Sequence, residues 1–233
     1  VYKRQPEENA ATRYMPAFEV IHESKAMDTV VKYLLPAERS RDEPRPTVEE
    51  VEAVLAELSP EIEAIEQASR MESCRFPVEW EKGAEVRFPH FAMMRHATRL
   101  FVVKAMVETE RGEAKAAMDS LAVIIRMTNH GAQEPTLISQ LVQVACVAIA
   151  AAAFEDIADK VKPTLEESRE LRAALEATDP IATMYHAVQG ERAMGLWAFN
   201  YARKKSWKPL WAPISDEPMQ EDFWLTKALS LIH

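Results

Sequence analysis

Four apolar, helix-forming runs follow one another between residues 91 and 177, about 91–110, 113–129, 135–160 and 164–177, with breaks of only two to five residues between them. Connections that short force consecutive helices to run antiparallel as hairpins. Each hairpin leaves an apolar face that its neighbour must cover, so the runs predict stacked helical hairpins. The punctuation agrees. Arg111-Gly112 breaks the first run, and Asn129, His130 and Gly131 close the second with C-terminal cap chemistry. Pro135 opens the third, and Pro163-Thr164 with Glu167 gives a proline-plus-capping-box start to the fourth. Composition points the same way: 35 alanines stand against 5 glycines in 233 residues, a bias toward helix. No segment alternates apolar and polar residues long enough to require a strand.

The flanks continue the pattern. Residues 16–35 predict a first helix, and the charged, proline-rich residues 36–46 break it. Thr47 and Glu50 form a capping box, and Ser59-Pro60 supplies a fresh cap for a helix to about 72. Residues 73–90 read as a loop, with Phe76, Trp80 and Phe88 as hooks onto the core. Asp179-Pro180 starts a helix to about 204, and a last helix is expected over 218–231. The domain reading is a polar linker over 1–14 and one all-helical domain over 15–233, with 205–233 as an extension. The polar start with Lys3 and Arg4 suits either a frayed terminus or the segment after a membrane anchor, so membrane proximity or an extracytoplasmic location is an expectation. Leu137 to Phe154 is apolar but includes Ser139, Gln140 and Gln143 and many weakly apolar alanines. It predicts a central helix buried on all sides, not a span.

Charge and motifs narrow the chemistry. The formal net charge is −9, which argues against nucleic acid, where binding starts from a basic surface. Residues 38–72 hold 11 acidic and 4 basic side chains, a solvated face. The sequence contains no Gly-x-Ser-x-Gly, no His-Glu-x-x-His, no Cys-x-x-Cys and no phosphate-binding glycine loop. One Glu-x-x-His occurs, Glu19 to His22, where a di-metal bundle needs two. No catalytic residue, metal ligand or cofactor is therefore assigned. Cys74 and Cys146 are two lone thiols, one in a loop and one in the core. Gly190 and Gly195 read as close helix packing. Arg203 to Trp211 mixes cations with tryptophans, which reads as tryptophans packed on the body with solvated lysines.

One constellation stands out. Arg95 and Arg99 share a helix face, as do Arg126 and His130. Glu134 precedes the long apolar helix, Gln140 interrupts it, and Glu191-Arg192 interrupts the late helix. Polar groups among apolar ones are paired when buried. Residue chemistry favours a charge network locking the hairpins, with Glu134 bridging to Arg126 and His130. The alternative is a polar pocket on the inner face of the stack, used by a small-molecule binder or an enzyme.

The stretch RLFVVKAMVETERGEAKAAMDSLAVIIRM resembles a tetratricopeptide-type hairpin, with Ala105, Gly112 and Ala116–Ala117 at its small-residue positions. It lacks that family's first-helix tryptophan and closing proline. A wider resemblance is to all-helical proteins of planctomycete-like bacteria that pair such a hairpin with a block like His130–Ala145 and a later Gly-Glu-Arg-Ala segment, here Gly190 to Ala193. These proteins often look membrane-anchored or secreted and carry no established activity. The resemblance implies an all-α, TPR-like or α-solenoid-like stack of about eight helices. The resemblance leaves function open; the hairpin series and the lack of catalytic motifs point to a non-enzymatic interaction or scaffold domain with a protein or peptide partner.

Overall fold

The computed structural model describes residues 9–34 and 44–205. Among these residues there are nine α-helices and no strand. The helices are α1 (Ala11–Glu23), α2 (Met27–Leu34), α3 (Val48–Glu57), α4 (Ser59–Ser69), α5 (Pro89–Glu110), α6 (Ala114–Gly131), α7 (Leu137–Val161), α8 (Arg169–Glu176) and α9 (Pro180–Lys205), with a 3-10 turn over Trp80–Glu85. The final helix expected over 218–231 lies outside the described residues, as does most of Arg203 to Trp211.

Several starts follow the capping chemistry. Thr47 and Glu50 form the reciprocal box at α3, and Asp179 Oδ1 accepts from the Ala182 N–H at 2.9 Å to open α9. Gly112, at φ +75°, makes the left-handed turn between α5 and α6. Thr164 and Glu167 do exchange their capping-box bonds, at 2.7 and 3.2 Å, but a turn intervenes before α8. The expected Ser59 cap is not formed. Ser59 is the first residue of α4, and its hydroxyl donates back to Ala56 O at 2.9 Å. Buried Leu58 alone separates α3 from α4.

The single helix expected over 16–35 is two. Ser24 breaks it, its hydroxyl accepting from the Ala26 N–H at 3.1 Å. The start lies earlier too, since α1 begins at Ala11. Residues 9–14, assigned to the linker, belong to the packed body. Asn9 exchanges hydrogen bonds with the Arg75 backbone at 2.8 and 2.9 Å, and Tyr14 is fully buried. Small Ala10 and Ala11 permit that close approach. Gly131 was expected to stop α6 as a left-handed cap; it instead sits in the last turn, where a Cβ would come within 2.8 Å of Met94 Cε. It is small because α6 presses on α5.

Contacts between helices run in two rows. α1, α5, α7 and α9 touch in succession, and so do α4, α6 and α8. The rows meet where α1 packs on α4 and α5 on α6, while α2 and α3 cover another side of α5. The core is centred on α5 and α6, with Leu100, Phe101, Met118, Leu121, Ile124 and Met127 fully buried. Phe76 is buried and Phe88 stacks on Phe91 at 5.3 Å, so these two hooks hold the 73–90 segment. Trp80 meets only the edge of Phe88 and stays 38% exposed.

α7 is not buried on all sides. It is long and apolar enough to cross a membrane by length and composition, yet 39% of its apolar window is buried. Leu141 and Val144 remain 51% and 64% exposed. Gln140, Gln143 and Cys146 face inward instead, because α5 and α6 offer hydrogen-bonding partners on that side.

Candidate functional site

The expected constellation is divided among several separate places. His130, in the last turn of α6, bridges two other segments. Its Nε2–H donates to Met71 O at 3.0 Å, which leaves Nδ1 to accept from the Tyr14 hydroxyl at 3.1 Å. Burial lowers the His130 pKa, so the imidazole is neutral in the folded protein. Burial, with help from Cys74, holds the Tyr14 phenol protonated well above its ordinary range, against a smaller opposing pull from Arg126.

Glu134 does not bridge Arg126 and His130. The turn after α6 carries it across to the first turn of α5, where Oε1 lies 3.1 Å from His90 Nε2. The two side chains are 10% and 1% exposed, and their close approach lacks hydrogen-bond geometry. Phe76 stacks on His90 at 4.3 Å and seals it. Cys74 adjoins this interior region. Burial first, then the Glu134 charge, push its thiol up to about 12, so it is no thiolate nucleophile.

The other residues serve separate contacts. Arg126 donates to Glu170 of α8 at 3.1 Å. Gln140 donates to Ala132 O at 2.8 Å and ties α7 to the end of α6. Glu191 accepts from the Leu137 N–H at 2.8 Å, so α9 caps the first turn of α7. Gly190 makes that crossing possible, because a side chain there would strike the Pro135 carbonyl. Gly195, read with it as a packing glycine, faces open space. Arg192 is exposed. Arg95 and Arg99 are half-buried on α5, both partnered, and close enough to Cys146 and His96 to act on their charge states.

Three features had no place in the sequence reading. His90 is a lone histidine among aromatics, which looks like ordinary core. Tyr14 fell in the supposed linker. The third is an ion cluster: Lys104 donates to Glu108 at 2.6 Å and to Ser120 at 2.9 Å, Ser120 donates to Glu108 at 2.7 Å, and Glu66 lies 3.3 Å from Lys104. The i,i+4 spacing of Lys104 and Glu108 was the available signal.

A histidine pair joins the end of α1 to α5. His22 Nδ1 and His96 Nδ1 share a hydrogen bond at 3.0 Å. Desolvation, then His22, Arg99 and Arg95, lower the His96 pKa to about 4. Below about 6.5 the unfolded chain takes up a proton that folded His96 refuses. Its contribution to stability is therefore complete above that pH and declines as pH falls toward 4. Denaturant melts from pH 7 to pH 4 should show this decline, and His96→Asn should flatten it.

No group of three His, Cys, Asp or Glu side chains is placed to hold a metal ion among the described residues. A cleft of about 150 Å³ opens elsewhere, between α6, α7 and α8. Leu121, Ile125, Val147, Ala151, Leu171 and Leu175 form its walls, and its lining is carbon. The Arg126–Glu170 ion pair ties two of the helices that form those walls. No known protein family, curated protein or solved structure matches the chain.

Proposed function

We propose that this chain is a non-enzymatic helical interaction domain that receives an apolar side chain of a protein partner in the α6–α7–α8 cleft. One observation carries the reading: the open concavity is wholly apolar, while His130, Gln140 and Glu191 spend their hydrogen bonds on the fold itself. Catalysis needs polar groups converging on a space that a substrate can enter. An apolar cleft of this size suits one aromatic or branched aliphatic anchor, the usual hot-spot element of a protein interface. The helices stacked about the α5–α6 hairpin support the same class of function, and an N-terminal tether or extracytoplasmic location belongs to the same proposal.

A photo-cross-linking residue placed at Leu175, 48% exposed at the cleft, tests the reading in native lysates and membranes. The expected result is one protein adduct that disappears when Ala151→Glu places a charge in the cleft while the thermal melt is retained. Absence of a cleft-dependent adduct, or an adduct insensitive to Ala151→Glu, would contradict it.

A further inference from the structure

The outer side of α7 is apolar and free of charge along most of its length. Leu137, Leu141 and Val144 are 41%, 51% and 64% exposed there, and Ala148 and Ala151 are exposed after them. The spacing of four, three, four and three residues averages 3.5. At 100° per residue all five fall within about 80° of the helix circumference. The buried Ser139, Cys146, Ala150, Ala153 and Ile157 lie on the opposite side. An apolar repeat of 3.5 residues is the seam along which two helices pair. This seam is graded: its large side chains occupy the first half and its alanines the second. The apolar cleft opens beside the alanine half, with Val147, Ala151 and Phe154 in its wall. Glu155 ends the seam, and Glu155, Asp156 and Asp159 are all exposed.

We propose that this seam is the surface on which a second copy of the chain docks, α7 against α7 and antiparallel. A two-fold axis at the level of Cys146 sets Leu141 against the partner's Ala151 and Val144 against the partner's Ala148. The symmetry repeats both pairs on the other side of the axis. Each of the four layers then holds one large and one small side chain. The layers are equally wide, and the helix axes can stay about 8–10 Å apart throughout. Charge favours the same arrangement. It carries Glu155 and Asp156 over the first turn of the partner's α7, the positive end of that helix dipole. Arg192 is exposed there, next on α9 to the Glu191 that caps Leu137. Parallel pairing would stack Leu141 on Leu141, leave alanine facing alanine and set Glu155 on Glu155. A bilayer is the poorer occupant, although α7 is long and apolar enough to cross one. Gln140 and Gln143 are bonded into the fold, and the acidic end of α7 and the net charge of −9 oppose an anionic surface. The seam runs beside the cleft, and the proposal does not depend on what the cleft binds.

Sedimentation equilibrium of the full chain tests it, because Val144 and Ala148 lie outside the cleft lining. The wild type should be a dimer at micromolar concentration. Val144→Glu buries a charge against the partner's Ala148 and should weaken the dimer about a hundredfold or more, with the helical circular dichroism of the monomer retained. Adding Ala148→Lys to the same chain should restore the dimer, since only the antiparallel register sets residue 144 against residue 148 of the other copy. A wild type that stays monomeric at about 100 μM would overturn the proposal. So would a dimer indifferent to Val144→Glu, or one that Ala148→Lys fails to rescue. Association that requires added anionic vesicles would give the face to a membrane and overturn it as well.

Discussion

Lys104→Met is expected to lower stability by about 3–5 kcal/mol, measured by urea denaturation. Lys104 joins α4, α5 and α6 through Glu66, Glu108 and Ser120. Its side chain is 23% exposed and that of Glu108 only 10%. Burial opposes the charge on Lys104, but the charge and hydrogen bond of Glu108, and then Glu66, outweigh it and raise its pKa. The raised pKa means the ammonium is stabilised by folding at every pH below about 10.5. Removing it leaves the Glu108 carboxylate buried with Ser120 alone. The loss is thus the cost of an unpaired charge more than the worth of the pair. The double variant Lys104→Met, Glu108→Met should recover most of the stability. A double variant as unstable as the sum of the two single ones would show that the cluster contributes more than charge neutralisation.

His130→Leu is the second large effect. The substitution keeps an apolar body in the core but strands the Tyr14 hydroxyl and the Met71 carbonyl. Each buried group left without its partner costs about 1–3 kcal/mol, so about 2–6 kcal/mol is expected in all. Tyr14→Phe added to His130→Leu should restore part of the loss, because it removes one of the stranded groups. The pH response gives an independent check. His130 titrates below its ordinary range when folded, so the wild type loses this contribution as pH falls below about 6.5. The variant should lack that part of the decline.

The helical class and the α5–α6 hairpin were legible because Gly112 and the capping residues act locally, within one turn of where they sit. Thr47 with Glu50 and Asp179 set their helices for the same reason. What failed depended on neighbours distant in sequence. Asn9 and Tyr14 looked like linker residues because their partners, Arg75 and His130, lie far along the chain. Gly131 carries the same signal as a C-cap, and only the approach of Met94 explains its place inside the turn. The polar constellation was legible as residues but not as geometry. Spacing put Arg126 and His130 on one helix face, and nothing local could say that one would reach α8 and the other α1. Glu134 illustrates this most sharply, since its partner His90 sits in the first turn of α5, more than 40 residues earlier in the chain.

His130, Gln140 and Glu191 bond within the fold, while the α6–α7–α8 cleft is apolar, a division that makes the cleft the proposed binding site. Methyl-resolved NMR of the full chain titrated with benzene tests that division directly, since an apolar cleft of about 150 Å³ has room for such a molecule. The prediction is saturable shifts at Leu121, Ile125, Val147, Leu171 and Leu175, with the methyls of Met71 and Met94 beside His130 and Gly131 unmoved. Shifts centred on Met71 and Met94, or no saturable response at the cleft, would contradict it.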